Sequence, residues 1–502
     1  MKRNKFSLSY YKLLSCDMGE LVPIGLTEVL PGDTFQHATS LLLRVSPLLA
    51  PVMHPVRVSI HHWFVPHRLV WDDWEAFITG GPDGFNASVF PTMTNLAGSN
   101  GIGGLLDYLG VPPYVDTLPI SALPVRGYQL IFNEWYRDQD LVGAIPISKA
   151  SGSDTTTDRF LRNAAWEKDY FTSSRPWTQK GPTVSIPLTG DAPVVGVGVY
   201  NNQTFAGSSV AAVGASADGD FPIGTPGISG GGGVFVKGSA SGAVSGSNRP
   251  DIFADLSNVS AANINDLRLA FALQRYEEAR ARYGSRYVEY LRYLGVRSSD
   301  ARLQRPEYLG GGKQTIQFSE VLQTAPNDPE DNVGVGELKG HGISAVRTNR
   351  YRRFFEEHGY VLTLMTVRPK TMYPQGLFRT WNRRTKEDFW QRELEHIGQQ
   401  EVQRKEIYAG AAQPDAMWSY QDRYDEYRRS ESTVSGEFRD TLDLWHMARI
   451  FESEPTLNGS FVSSNPTKRI NAVQSQDVLW IMANHSIQAR RQLSKRGNSY
   501  IY

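Results

Sequence analysis

The residues from His61 to Glu75, HHWFVPHRLVWDDWE, combine three histidines with two aspartates and a glutamate, the side chains that metal sites and acid/base centres use. Adjacent residues of a β-strand point to opposite faces, so His61 and His62 cannot bind one ion unless a bulge turns both the same way. Asp72 and Asp73 stand just before WEAFI, where they would cap a helix. We therefore interpret the stretch as a strand, a turn and a capped helix, with three tryptophans as packing anchors: Trp63, Trp71 and Trp74.

Two glycine-rich motifs resemble catalytic signatures without meeting their requirements. In YLGGGKQT a Walker loop would need a glycine at Glu307 and a serine or threonine at Gln314, so we predict a glycine-rich turn between strands. The segment Gly227–Gly231 fits G-x-S-x-G but lacks the strand and helix that flank a nucleophile elbow. The sequence therefore predicts no catalytic residue, no cofactor site and no metal site, and a protein that is not an enzyme.

Basic residues gather near both ends of the chain and once in its middle, around Arg350, Arg352 and Arg353. Basic chain ends without apolar content are often arms that neutralise phosphates, and nearby tyrosines could stack on bases. We therefore predict nucleic-acid-binding residues near the two ends: Lys2, Arg3, Lys5, Arg490, Arg491, Lys495 and Arg496, accompanied by Tyr10, Tyr11, Tyr500 and Tyr502. The alternatives are that the ends only solubilise the protein or form ion pairs between subunits.

The overall composition restricts the class of protein. The 502 residues carry no formal net charge and are 40% apolar, which allows a substantial core and favours self-association over a globally basic nucleic-acid binder. Cys16 is the only cysteine, so neither an intrachain disulfide nor a cysteine metal cluster can form, as is typical of a reducing cytosol. We also expect no signal peptide, because Lys12 interrupts the apolar stretch, and no membrane span.

The elements that must position these residues are mostly strands. Val56, Val58 and Ile60 alternate with polar residues, and the change of parity beyond them predicts a bulge at His61–His62. Residues 360–367 are apolar on both faces, which predicts a central strand. Helices are expected in three places: over YQLIFNEWYRDQDL, over 263–294 with one apolar stripe, and after the capping-box pair Thr385 and Asp388. The stripe consists of Tyr287, Tyr290, Leu291 and Leu294, and the face of the last helix would hold Trp390, Leu394 and Ile397.

Several blocks, in order along about 430 residues, resemble the major capsid proteins of the Microviridae, specifically their gokushovirus-like members. The blocks are GELVPIGLTEVLPGDTF (19–35), FVPHRLVWDDWEAF (64–77), FNEWYRDQDL (132–141), SSDARLQRPEYLGGG (298–312), EHGYVLTLMTVRP (357–369), YQDRYDEYR (420–428) and LDLWHMARIF (442–451). The Gly/Ser-rich segment 181–250 and the basic ending HSIQARRQLSKRGNSYIY, which is more basic than the endings typical of the family, lie outside the blocks that carry this resemblance.

The resemblance implies a mainly β fold, an eight-stranded viral jelly-roll β-sandwich with large loop insertions containing helices. It divides the chain into an N-terminal arm with the first jelly-roll strands (1–180), a surface insertion that is the candidate protrusion (181–250), and helical insertions with the remaining strands and a basic tail (251–502).

The resemblance also implies a T=1 icosahedral bacteriophage capsid of sixty copies around a circular single-stranded DNA genome. The implied partners are an internal scaffolding protein, a DNA pilot protein, a small basic DNA-binding protein and a host cell-surface receptor. Assembly would take place in the host cytoplasm, and the protein would reside in the virion.

Two other classes fit parts of the sequence. A β-sandwich carbohydrate-binding or carbohydrate-active protein would use paired carboxylates and stacking tryptophans, and the 11 tryptophans permit it. A bacterial surface adhesin is disfavoured because the sequence shows no export signal.

Overall fold

The computed structural model describes residues 3–495 apart from 83–84, 95–100, 114–116, 183, 185–193, 196, 202–203, 207–231, 237–252, 255–263, 284–286, 298, 301, 303 and 323–337. The chain divides into two compact units. One consists of Met1–Thr178 with Arg280–Tyr502, and the other of Gln179–Ala279. The boundaries predicted from the sequence, at 180 and 250, remain predictions.

The described elements are mostly strands. The strands are β1 (Asn4–Ser7), β2 (Tyr10–Cys16), β3 (Val22–Val29), β4 (Thr34–Val45), β5 (Val56–Pro66), β6 (Thr92–Met93), β7 (Ile120–Ser121), β8 (Val194–Val195), β9 (Val197–Asn201), β10 (Thr204–Ala206), β11 (Gly232–Val236), β12 (Phe253–Ala254), β13 (Glu307–Thr315), β14 (Gln317–Leu322), β15 (Leu338–Arg347), β16 (Tyr351–Phe354), β17 (Gly359–Pro369), β18 (Gln399–Gln403), β19 (Met417–Asp422) and β20 (Leu479–Arg491). The helices are α1 (Trp74–Thr79), α2 (Leu105–Leu109), α3 (Leu123–Ile131), α4 (Ile264–Tyr283), α5 (Tyr287–Tyr293), α6 (Arg404–Ile407) and α7 (Gly459–Val462).

Two antiparallel sheets form the centre of the first unit. The larger sheet has the order β1-β20-β4-β15-β14, with β2 also paired to β20 and β16 also paired to β4. The smaller sheet has the order β13-β5-β17-β3. Taking β2, β3, β4, β5, β13, β15, β17 and β20 as the first to eighth strands, the sheets run 1-8-3-6 and 5-4-7-2, which is the double Greek-key order of a jelly roll. The predicted fold is confirmed, with β1, β14 and β16 as additions to one sheet.

Apolar residues at every second position of the strands fill the space between the sheets. Ile24, Leu43, Val58 and Ile481 belong to one buried cluster, and Phe35 and Phe64 belong to a second. This two-residue period arises because successive side chains of a strand point to opposite faces. The inward residues of both sheets therefore form the core of the sandwich.

A helical insertion covers the outer face of the smaller sheet. The helix α3 and the π-helical turn Phe132–Tyr136 that continues it pack Tyr128 and Phe132 into a buried cluster with Trp63 of β5 and Leu362 of β17. Both β5 and β17 are therefore buried on two faces, and the prediction that 360–367 form a central strand is confirmed. The helix predicted over YQLIFNEWYRDQDL begins earlier and ends at Tyr136.

The predicted bulge at His61–His62 is wrong, and so is the predicted turn in YLGGGKQT. The strand β5 pairs with β17 without a register shift, and its apolar residues change parity because both faces are covered. The shift lies in β13, between Tyr308 and Gly310, and the glycines continue that strand. A Cβ atom on Gly311 would lie 2.2 Å from the carbonyl oxygen of Ile60. Close backbone approach, and not a turn, therefore requires glycine here.

The helix predicted after Thr385 is also wrong. The capping box of Thr385 and Asp388 forms, but it opens only the 3-10 turn Lys386–Asp388, followed by a second 3-10 turn, Arg392–Leu394. The hydroxyl of Tyr424 donates to the carbonyl of Phe389 and accepts from the amide of Gln391. These bonds satisfy backbone groups that a helix would have paired internally. Trp390 and Ile397 are consequently exposed.

The helices of the 263–294 region are α4 and α5. Of the predicted stripe, Leu291 lies in α5 and is half-buried, whereas Leu294 lies beyond its end and is exposed. Within the described residues, no helix combines the length and the apolar character that crossing a membrane requires.

Candidate nucleic-acid interface

The histidine-rich stretch lies in the core of the sandwich and on its covered side. His62 points between the sheets, where Thr363 Oγ1 lies 2.9 Å from its Nδ1, and His61 points to the opposite face, where the hydroxyl of Tyr136 lies 2.7 Å from its Nδ1. Three of the ten histidines meet between the sheets, since His37 Nε2 lies 3.3 Å from His485 Nδ1 and the His37 and His62 ring centroids are 4.5 Å apart. Across the described part of the chain, no group of three or more His, Cys, Asp or Glu side chains could hold a metal ion.

Burial determines the protonation of this histidine cluster. It lowers the pKa of His37 to about 3 and that of His485 to about 4, and it moves the pKa of His62 well below its ordinary value. All three rings are therefore neutral near pH 7. Neutral rings can accept hydrogen bonds, and the nearby threonine hydroxyls satisfy them.

The three tryptophans singled out from the sequence all contact the insertion on the covered face. Trp63 is buried against Trp135 and donates to the hydroxyl of Tyr136. Trp71 is fully buried and donates to Ser151 Oγ, whereas Trp74 is half-buried against the ring of His67.

Asp73 precedes α1 as predicted, but its side chain caps no backbone amide of that helix. Its carboxylate instead accepts a hydrogen bond from Ser151 Oγ at 2.6 Å, so it ties the start of α1 to the loop around residue 151.

The structure brings the basic residues near the two ends of the chain together. Strand β1 pairs with the end of β20, with Asn4 opposite Arg491 and Lys5 opposite Arg490. Opposed residues of an antiparallel pair share one face, and both Lys5 and Arg490 are exposed on the outer face of the larger sheet. Arg3 lies nearby and donates to Thr34 Oγ1 at 2.9 Å. Lys495 is exposed beyond β20, and Lys2, Arg496, Tyr500, Tyr502 and Ser229 of the G-x-S-x-G motif lie outside the described residues.

Arg491 stabilises the fold and does not belong to this exposed basic surface. Its side chain points inward, forms an ion pair with Asp33 at 3.1 Å and donates to the carbonyl of Glu28 at 2.7 Å. Of the central basic group, Arg353 pairs with Glu307 at 2.9 Å, whereas Arg352 is exposed opposite Gln36 on the same outer face as Arg490. Arg491 and Arg353 are therefore neutralised by carboxylates, and Arg352 joins Lys5 and Arg490.

Further basic residues lie on the same outer face of the larger sheet, and the part of it formed by β1, β2, β20, β4, β15 and β16 is here called the open face. Each row contains one residue from β1 or β2, one from β20, one from β4 and one from β15 or β16. From one end of the sheet to the other, the rows are Ser15–Trp480–Arg44–Ile343, Leu13–Met482–Leu42–Ala345, Tyr11–Asn484–Ser40–Arg347, Ser7–Gln488–Gln36–Arg352 and Lys5–Arg490–Thr34–Phe354. Ser486 and Ala38 form a further pair between the third and fourth rows. Rows are separated by two residues of strand, about 7 Å.

The open face has no aspartate or glutamate at any of these outward positions, although the chain has as many acidic as basic residues. Its cations are exposed and form no ion pair with a described side chain: Lys5, Arg44, Arg347, Arg352 and Arg490. Five unpaired cations on a face whose outward strand positions carry no carboxylate attract polyanions. At the Trp480 end, a carboxylate from outside the rows, that of Asp477, accepts a hydrogen bond from Ser15 Oγ.

The open face also carries exposed apolar and aromatic side chains at the end opposite Lys5. Trp480 is 46% exposed and Tyr11 is 69% exposed, with Leu13 and Met482 between them. Tyr10, by contrast, points inward and stacks on His485, with ring centroids 4.7 Å apart. The prediction from the sequence included Tyr11 but missed Trp480, Arg44 and Arg347. The alternation in LWIMANHSIQARR was the signal that could have found the face of β20.

The chain is similar to known phage proteins over nearly its whole length. The model of a family described as "Capsid protein (F protein)" matches residues 1–499. Similar relatives named "Capsid protein VP1" come from Bdellovibrio phage phiMH2K (37% identical, covering 95% of this chain and 90% of the relative), Chlamydia phage 1 (34%, 95% and 92%) and Spiroplasma virus 4 (30%, 92% and 88%).

Proposed function

This chain belongs to the F-protein family of phage capsid proteins, as a major capsid protein of the gokushovirus-like Microviridae, and from that premise we propose that its copies close into a T=1 icosahedral shell of sixty subunits around a circular single-stranded DNA genome. It is a structural protein of the virion and not an enzyme. In this proposal the open face lines the interior of the shell and binds the phosphates of the genome.

The observation that carries the proposal is the difference between the outer faces of the two sheets. An insertion packs over the smaller sheet, whereas the larger sheet exposes unpaired cations and no carboxylates at the positions described above. In a shell, one side of each subunit must lie against the negatively charged genome. Among the described sheets, only the open face combines unpaired cations with an absence of carboxylates at its outward positions. Arg352 and Arg490 lie in neighbouring rows, at a spacing that allows both to bind one backbone.

Contacts between copies would cover apolar side chains that a single copy leaves in water. Trp381, Phe389, Trp390 and Ile397 are all more than half exposed and belong to one irregular segment. Exposed apolar patches of this kind commonly mark interfaces between proteins, and stable shells need obligate contacts of about 2,000 Å² or more. The zero net charge of the chain removes the electrostatic repulsion that would oppose such contacts.

The parts of the proposal that concern receptor binding, the place of assembly and the partner proteins rest on the family resemblance. The insertion 181–250 would be the surface protrusion that contributes to binding a host cell-surface receptor. Assembly would take place in the host cytoplasm, together with an internal scaffolding protein, a DNA pilot protein and a small basic DNA-binding protein.

The test replaces Lys5, Arg352 and Arg490 together with glutamine. Particles are expected to form but to package less DNA, and their DNA affinity should depend less on salt, by about 0.7 in the log–log slope for each phosphate that is no longer neutralised. DNA content per particle and binding of a single-stranded oligonucleotide across a salt series measure these effects.

The control replaces three exposed cations outside both the open face and the proposed contact segment, Lys149, Arg297 and Arg302, with the same reduction of charge. It should leave packaging and the salt slope unchanged. Equal packaging by both triple variants would contradict the proposed orientation, and a purified chain that never closes into particles would contradict the shell itself.

A further inference from the structure

The aromatic end of the open face has a chemistry that phosphate binding does not use. Trp480, which is 46% exposed, lies directly opposite Arg44 on β4 and opposite Ser15 on β2. Tyr11 lies two rows away on β2, opposite Asn484. The side chains between and beside them are uncharged: Leu13, Met482, Leu42 and Ser40. These side chains form an apolar platform, with Arg44 beside Trp480 at one end and Arg347 in the row of Tyr11 at the other.

A flat ring beside an unpaired cation fits a nucleotide with an unpaired base. The base stacks on the indole or phenol ring, because every nucleobase has a π-face, while the neighbouring guanidinium binds the phosphate. Duplex DNA cannot use the rings in this way, since its bases are stacked on one another and paired. The small side chains of the middle rows, Ser40, Ala38 and Ser486, leave room for a backbone to pass from this end to the row of Lys5 and Arg490.

We infer that Trp480 and Tyr11 form a base-stacking platform that makes the open face selective for single-stranded over duplex DNA, with Arg44 and Arg347 binding the flanking phosphates. This inference rests on the proposed function, because it requires that the open face meet the genome. Charge favours DNA over a protein segment as the occupant, because Arg44 and Arg347 form no ion pair with a described side chain and the adjacent outward strand positions carry no carboxylate. The carboxylate of Asp477, which accepts a hydrogen bond from Ser15 Oγ, lies outside these positions and leaves both arginines unpaired.

The test compares three fluorescent probes on the purified full-length chain: single-stranded oligothymidine, an abasic strand of the same length, and the corresponding duplex. Wild-type protein should bind oligothymidine about tenfold more tightly than the abasic strand, which is the effect of one or more stacked bases. The double variant Trp480→Leu with Tyr11→Leu keeps an apolar surface and every cation, so it should bind the two single strands equally, with an unchanged salt slope.

The control variant Phe160→Leu removes an aromatic residue of similar exposure, 58%, from outside both the open face and the proposed contact segment, and it should retain the wild-type preference. Thermal unfolding of each variant tests whether the sandwich is intact, since these side chains point away from the core.

The outcomes separate this inference from the proposed function. If Lys5→Gln with Arg490→Gln weakens binding of all probes but wild-type protein does not distinguish oligothymidine from the abasic strand, the stacking platform is wrong and the phosphate face stands. If the Trp480 and Tyr11 variant binds DNA as wild type yet fails to form particles, the platform binds protein and the inference is overturned. If no cation substitution affects DNA binding, the proposed function itself fails.

Discussion

At the scale of single residues, the histidines between the sheets connect the fold to pH. His37, His62 and His485 come from three different strands, β4, β5 and β20, and all three are buried. The composition of the stretch around His62 raised the question of a metal or acid/base site. In the structure these rings instead bond to residues far away in the chain: His62 to Thr363, about 300 positions away, and His37 to His485, about 450 positions away. Long-range partners of this kind could not be predicted from spacing.

The first prediction concerns acid. An unfolded histidine titrates near pH 6.5, whereas burial holds the pKa of His37 and His485 at about 3 and about 4. Below pH 6.5 the unfolded chain therefore binds protons that the folded chain does not, and the free energy of unfolding falls as the pH falls, by up to about 1.4 kcal/mol per pH unit for each such histidine. We expect the midpoint of thermal unfolding to drop between pH 7 and pH 5, and His485→Gln to make that drop shallower.

His341→Gln supplies the comparison for this measurement, because His341 is exposed on β15. It should leave the slope of midpoint against pH as in the wild type. An identical slope in the wild type and in His485→Gln would show that the buried cluster does not determine the acid sensitivity.

At the scale of elements, apolar periodicity predicted strands well and glycine or capping signals poorly. The strands around Val58 and over 360–367 were predicted because both sit in the core, where the side-chain pattern reflects burial directly. The capping box at Thr385 forms, but the helix predicted from it does not, because only one 3-10 turn follows and the hydroxyl of Tyr424 then bonds the backbone of Phe389 and Gln391. The glycines of β13 were predicted as a turn because the sequence does not show that another backbone lies against them.

The second prediction concerns these glycines. Gly311→Ala would place a methyl group 2.2 Å from the Ile60 carbonyl oxygen, so β13 must separate from β5 or shift along it. We expect a decrease of roughly 2–4 kcal/mol in the free energy of unfolding, measured by denaturant or thermal unfolding. Gly143→Ala is the matched change, since no atom lies within 4 Å of its added Cβ, and it should be close to neutral. Equal midpoints for the two variants would contradict the close packing of β13 on β5.

At the scale of the whole molecule, the resemblance in seven sequence blocks predicted the jelly roll, and the strand order confirms it. The sequence did not predict which basic residues would share a surface, because Lys5 and Arg490 are brought together only by the pairing of β1 with β20. Nor did it separate Arg490 from Arg491, which differ by one position and therefore face opposite sides of the strand.

The third prediction concerns the insertion at 181–250. If it is the attachment protrusion, its replacement by a short Gly/Ser linker should abolish adsorption to host cells while particles still assemble. Adsorption assays and negative-stain microscopy of the same preparation measure the two effects. Failure to form particles would instead identify the segment as part of the shell contacts, and normal adsorption would remove it from receptor binding.

The position of β20 has a consequence for synthesis. This strand comes last among the described strands, yet it lies in the middle of its sheet, paired with β1 and β2 on one side and with β4 on the other. A chain in which β20 has not yet paired therefore lacks the strand that joins β1 and β2 to the rest of the sandwich. If copies of this chain close into a shell as proposed, a partly synthesised subunit cannot yet present the completed sheet to its neighbours.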